Sequence, residues 1–256
     1  MNFFRYFFRA VEDQAPIEAF GPVHLLLMLL AFGGAFLIIF RRQQLFTSGW
    51  AAKGARICAW LLLAFQVVKY LWDILSGHFS LANSLPLYPC RIAVWLLILS
   101  TLFGRRRCWP LGFVWGLLGA VVATILVDPY PFAWPHFTNL DFFVTHIAMG
   151  WLVLFRIIAD HPDFSRDTLR RLITTTNLFL ITAVLTNFVL KILGYTDVNY
   201  AYLNQAPDFM LAFLPSGLVF SVLLAITYNL VVYLVFITAK IICERYYAQE
   251  IIRATH

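Results

Sequence analysis

The amino-acid sequence predicts an all-α protein, a polytopic membrane helix bundle of about seven transmembrane helices. Three observations carry this. The 256 residues are 61% hydrophobic and 12% charged, against roughly 45–50% apolar and about 25% charged in a soluble domain. Apolar stretches long enough to cross about 30 Å of hydrocarbon recur along the chain. The lysines and arginines collect in alternate connections between those stretches. Spans and short loops use all the length, so a single integral membrane domain is expected over 1–256. It divides into an interfacial N-terminal segment 1–21, a helix bundle 22–239 and a cytoplasmic tail 240–256.

Residues 1–21 hold Phe3, Phe4, Phe7 and Phe8 around Arg5 and Arg9, which suits an amphipathic piece lying in the interface; the alternative is a loosely held tail. The same phenylalanines interrupt any signal-peptide n-region, and no small-residue cleavage site follows a short apolar core. The first span is Pro22 to Phe40, with His24 as the polar interruption in its first turn. Its 19 residues reach about 28 Å at about 1.5 Å per residue. The second span, about 55–75, follows Arg41, Arg42, Lys53 and Arg56 and carries Gln66, Lys69 and Asp73. Steps of three and four put those three on one helix face, with Lys69 spaced to pair with Asp73. A charge at a span centre costs about 2.5–3.5 kcal/mol, so this face looks inward or lies near the rim.

The third span, about Pro89 to Phe103, ends at Arg105, Arg106 and Arg107. The fourth, about Trp109 to Val127, holds Gly112, Gly116, Gly119, Ala120 and Ala123, small residues suited to close helix packing. The loop from Asp128 to Asn139 is rich in proline and aromatics, as at a membrane interface. The fifth span, about Leu140 to Ile158, carries His146. The sixth, about Leu172 to Leu193, carries Asn177, Asn187 and Lys191 on roughly one face. A polar loop with Asn199-Tyr200 precedes the seventh, about Phe209 to Ala239, where Pro215 and Gly217 mark a loop or kink.

Connections one, three and five and the C-terminal tail hold 14 of the 19 lysines and arginines. The positive-inside rule then places the N-terminus outside and the C-terminus in the cytoplasm. The net charge of +6 therefore reads as topology, and no nucleic-acid partner is expected. The location expected is the cell (plasma) membrane.

With that orientation the polar residues that need explaining gather at one depth. His24 opens span one, Lys69 and Asp73 lie near the end of span two, and Cys90 and Arg91 open span three. His146 lies near the start of span five, and Lys191 and Asn199-Tyr200 lie at the end of span six. All are at the outer rim, which points to a polar pocket facing the outer leaflet or the exterior. Cys90 is the candidate nucleophile, because a helix N-terminus and an adjacent arginine favour the thiolate. His146 is the candidate base, because imidazole accepts a thiol proton near neutral pH. Each has a plainer structural reading: a small core thiol for Cys90, an interhelical hydrogen bond for His146, a rim residue for His24, and an ion pair for Lys69 with Asp73. No CxxC or zinc-type Cys/His spacing occurs, so neither a metal nor a cofactor is expected.

The pieces Leu85-Pro86-Leu87-Tyr88-Pro89-Cys90, Trp115-Gly116-Leu117-Leu118-Gly119, Pro135-His136-Phe137, Phe142-Phe143-Val144-Thr145-His146 and Asn199-Tyr200, in that order with His24 upstream, resemble the YwaF-like family of bacterial multi-pass membrane proteins. The resemblance runs from about residue 22 to 238. That family resembles a vertebrate membrane acyltransferase acting on lyso ether phospholipids. The resemblance implies a catalytic pair at Cys90 and His146. The polar residues gathered around that pair, His24, Arg91, His136, Asn199, Tyr200 and Lys69, are the candidate substrate-binding set. Two departures stand out: Arg91 where the family usually has an acidic residue, and Gln205-Ala206-Pro207 where the motif usually continues to Lys-Pro. The function expected is an outer-leaflet acyltransferase or lipid-remodelling enzyme with membrane lipids as partners. The alternatives are a small-molecule transporter or channel, its path lined by the polar faces of spans two and six, and a non-enzymatic assembly partner using the small face of span four.

Overall fold

The computed structural model describes residues 2–13, 15–127, 130–160, 162–205 and 217–254. Contacts group the chain into two compact units, 1–161 and 162–256. Unit one contains α1 (Phe3–Phe7), α2 (Pro22–Phe40), α3 (Arg42–Thr47), α4 (Trp50–Leu75), α5 (Pro89–Leu102), α6 (Trp109–Ile125) and α7 (Phe137–Ala159). Unit two contains α8 (Arg166–Ile192) and α9 (Gly217–Ala254). No strand occurs among the described residues.

Among the described residues six helices are long and apolar enough to cross a membrane: α2, α4, α6 with its preceding turn, α7, α8 and the Val219–Arg245 part of α9. The third expected span is different. α5 has 14 residues, about 21 Å, which is about 9 Å less than the hydrocarbon thickness. The 76–88 connection leads into this helix. That connection is irregular but satisfies its own backbone: Phe79 N donates to Asp73 O (2.9 Å), Ser84 N to Ser80 O (2.8 Å) and Ser80 N to Ser84 Oγ (3.0 Å). Non-helical backbone at this depth is tolerated where protein buries it, and Ala82 and Ser84 are indeed buried.

Glycines set the packing of unit one. A Cβ at Gly112 would crowd Leu96 and Leu97, one at Gly116 would reach Leu97 at 2.8 Å, and one at Gly119 would reach Cys90 Sγ at 2.6 Å. The small-residue face of α6 therefore receives α5. Gly54 lets α4 meet the Phe155 ring of α7, and Gly34 lets α2 lie against Trp151. Trp151 Nε1 also donates to Ala31 O across that contact (3.0 Å).

The N-terminal segment is docked rather than loose. Phe7 and Phe8 pack on Phe137, Trp72 Nε1 donates to Phe8 O (3.3 Å), and the Arg9 guanidinium donates to Ala133 O (2.8 Å) and Pro135 O (3.3 Å).

In unit two, Ser165 caps α8 by accepting from Thr168 N. Asn177 and Asn229 exchange amide hydrogen bonds between α8 and α9 (3.1 and 3.0 Å). The seventh expected span starts at 209, but 209–216 lie outside the described residues. α9 continues to Ala254, through most of the expected tail.

Candidate functional site

One buried pocket of about 100 Å³ lies at the end of unit one where α4 finishes and α5 and α7 begin. α4 contributes Gln66, Lys69, Tyr70 and Asp73 to it, α5 contributes Cys90, Arg91 and Val94, and α7 contributes Thr138, Asp141, Phe142, Thr145 and His146. Ser84 and Tyr130 close it from the connections. The arginines at 41, 42 and 105–107 lie at the opposite helix ends, so the pocket is at the end of unit one away from those cations.

The first turn of α5 sets the thiol. Tyr88 is the N-cap and Pro89 takes a first-turn position whose missing N–H does no harm. Cys90 follows with its Sγ against Gly119. First-turn N–H groups have no intrahelical acceptor. Arg91, next in the chain, sends its guanidinium to Asn83 O and to Tyr130 Oη (3.2 Å).

His146 sits three turns into α7 with Nδ1 2.7 Å from Phe142 O. A carbonyl only accepts, so Nδ1 carries the proton and Nε2 carries the lone pair. That is the tautomer a base acting through Nε2 requires. Thr145, one residue earlier, donates to Asp141 Oδ1 at the limit of hydrogen-bond length (3.4 Å). Lys69 Nζ binds both oxygens of Asp73 (2.5 and 2.6 Å) and lies 4.6 Å from the Tyr130 ring centroid.

Of the residues expected from the sequence, Cys90, His146, Arg91 and Lys69 therefore meet in one pocket. Four others do not line it. His24 is fully buried, accepts from Phe20 N at Nδ1 (2.8 Å) and donates from Nε2 to Thr124 O (2.8 Å). It fastens the start of α2 to the end of α6. His136 caps α7, accepting from Thr138 N at Nδ1 and donating from Nε2 to Arg9 O (2.9 Å), with its ring stacked on Phe132. Asn199 and Tyr200 belong to unit two. Asn199 Oδ1 accepts from Asn204 N (3.0 Å) and Gln205 N (3.2 Å), and buried Tyr200 has its backbone N–H and C=O bound by Asn187 (2.8 and 3.0 Å). The continuation of that motif at Ala206-Pro207 lies outside the described residues. Sequence reasoning gave no substrate role to Gln66, Thr138, Asp141 or Thr145. The signal was the Thr138, Asp141, Thr145 spacing of three and four, which is one helix stripe. Among the described residues no three His, Cys, Asp or Glu side chains gather as metal ligands.

Burial pushes His136 down to about 4 from the ordinary 6.5. Around it, the Arg9 charge lowers it further and Asp13 opposes, while the Arg9 backbone bond supports its protonated form. An undocked N-terminal segment leaves His136 free to take a proton first. Docking stability contributed by this histidine is thus full above about pH 6.5 and is lost as pH falls toward 4. Hydrogen exchange at residues 3–9 should accelerate over that window in the native protein, and the extra pH dependence should vanish in His136→Phe. Exchange independent of pH between 7 and 4.5, after correction for intrinsic rates, would contradict it.

A model of the TMEM164 family matches residues 19–239. That is nearly the stretch over which the motifs resemble the YwaF-like family, and what it shows is a family of transmembrane proteins. Comparison with curated proteins and with solved structures gives no match.

Proposed function

Since this chain belongs to the TMEM164 family of transmembrane proteins, we propose that its outer-face pocket is the acyl-transfer centre of a lipid-remodelling enzyme. The observation that carries the reading is that Cys90 and His146, 56 positions apart in sequence, line one pocket with two cations, Lys69 and Arg91. The YwaF-like, bacterial placement and residence in the plasma membrane are part of the same proposal.

His146 Nε2 takes the thiol proton as Cys90 Sγ attacks the ester carbonyl of a donor lipid. The S–C bond forms, the ester C–O bond breaks, and the departing oxygen takes the proton back from Nε2. An acyl-thioester is left on Cys90. An acceptor hydroxyl then gives its proton to Nε2 and attacks the thioester carbonyl, and the released thiolate recovers that proton. Lys69 and Arg91 hold the headgroup phosphate, a role for which cationic N–H donors are suited. His24 and His136, occupied by backbone partners, hold the pocket's surrounding helices in place. Asn199 and Tyr200 shape their own loop.

The test is chemical. Protein reconstituted in vesicles of a phospholipid with a radiolabelled acyl chain should acquire label that neutral hydroxylamine releases. Cys90→Ser should give no hydroxylamine-labile label. Wild-type protein that stays unlabelled in every phospholipid class, or labelled protein whose label survives Cys90→Ser, sinks the reading.

A further inference from the structure

We propose that a second, apolar cleft between α2, α6 and α7 holds the acyl chain of a membrane lipid, with His146 as the wall between chain and reaction centre. This rests on the acyl-transfer reading and adds the site of the chain. Phe142, His146 and Gly150 follow one another along α7 in steps of four, so they share a stripe. Phe142 lines the polar pocket, Gly150 lines the cleft, and His146 lines both. α6 repeats the arrangement: Gly119 packs on Cys90 Sγ, while its neighbour Ala120 lines the cleft against Gly150.

The cleft, about 60 Å³, has a mainly apolar lining suited to a segment of alkyl chain. Its walls are mostly small or aliphatic, with Ala31 and Ala35 from α2 and Ala120 and Val121 from α6. Apart from His146 at its end, two polar groups beside it already have partners. Trp151 Nε1 donates to Ala31 O (3.0 Å), and Thr124 O accepts from His24 (2.8 Å). A polar ligand would therefore lose hydration without replacement there. The occupant follows from position. Phe32 and Val121 at the walls are exposed, on helices long and apolar enough to span the bilayer, so the molecule available at the mouth is a lipid tail. An ester whose chain runs down the cleft has its carbonyl at the His146 wall and its headgroup on the side of Lys69 and Arg91.

Cross-linking tests this without requiring turnover. The Cys90→Ala protein, in phosphatidylcholine vesicles with a diazirine midway along one chain, should give adducts on the α2 peptide around Ala35 and the α6 peptide around Val121. Ala35→Phe, or Val121→Phe where the former does not fold, should remove those adducts while adducts on α8 and α9 persist. With Cys90 intact, the same variant should shift the ratio of palmitoyl to hexanoyl transfer by about tenfold or more toward the short chain. Adducts untouched by both variants, or transfer lowered equally for both chain lengths, overturn the cleft. The two readings separate cleanly. Filling-sensitive adducts on a protein whose Cys90 never labels would end the chemistry and keep the cleft, whereas a labelled Cys90 without adducts at α2 and α6 would end the cleft alone.

Discussion

Replacing Asp73 by alanine is expected to destabilise the protein by about 3–5 kcal/mol, the usual result of stripping one partner from a buried ion pair. Lys69 is 8% exposed and Asp73 5%, so neither falls under the discount that applies to solvent-screened pairs. The bidentate contact satisfies the carboxylate, and the Tyr130 ring adds a cation–π contact on the other side of the ammonium. Removing the carboxylate leaves a buried cation facing Asp141 as the remaining acid in the pocket. A double replacement, Lys69→Met with Asp73→Leu, removes both charges and should recover most of the loss, since well-packed apolar pairs commonly equal buried ion pairs. Unfolding midpoints in detergent check this. An Asp73→Ala protein within about 1 kcal/mol of the parent would show that the pair is wet and structurally idle. The double variant also separates structure from function: if it is stable yet fails to transfer acyl chains, Lys69 is needed for the substrate.

His146→Ala is expected to slow thioester formation on Cys90 by about 100- to 10,000-fold, the range over which a positioned general acid–base acts. The structural cost is smaller, because the bond lost is that to Phe142 O, worth about 0.5–1.5 kcal/mol net. A stable protein with a collapsed rate is therefore the expected phenotype. The residual rate should rise with pH as solvent hydroxide replaces the base, whereas the parent rate should level off once Nε2 is unprotonated. His146→Gln should not rescue, since an amide at this position has no basic nitrogen. Labelling at the parental rate in His146→Ala would remove the histidine from the mechanism and leave it as the wall of the apolar cleft.

Much of the fold and part of the site were legible in the sequence, for reasons that can be stated. Hydropathy marks a span because lipid leaves the backbone no alternative to a helix, and α2 was bounded correctly, Pro22 to Phe40, by its proline and the following arginine. Charge alternation located the pocket end, and Cys90, Arg91, Lys69 and His146 met there because helix termini at one membrane face are close by construction. The partners of His24 and His136 were not legible. Thr124 O lies 100 positions from His24 and Arg9 O lies 127 from His136, and a carbonyl acceptor carries no residue-specific signal. Asn199 and Tyr200 were grouped with the pocket by expected depth, which does not fix lateral position, and their bonds close a local loop. α5 was bounded to within a residue, Pro89 to Leu102, but those bounds were read as a full span although the helix is too short to cross alone. Asp141 and Thr145 were readable as a stripe, yet a stripe becomes a lining only when α4 and α5 are set against it.

The shortness of α5 has a consequence for traffic. Peptide groups of the 76–88 connection are satisfied by one another and by the protein behind them, and any that turned toward hydrocarbon would cost several kcal/mol each. Opening that flank would break those bonds, so an approach to Cys90 from the aqueous face or along a flank of regular helix costs less.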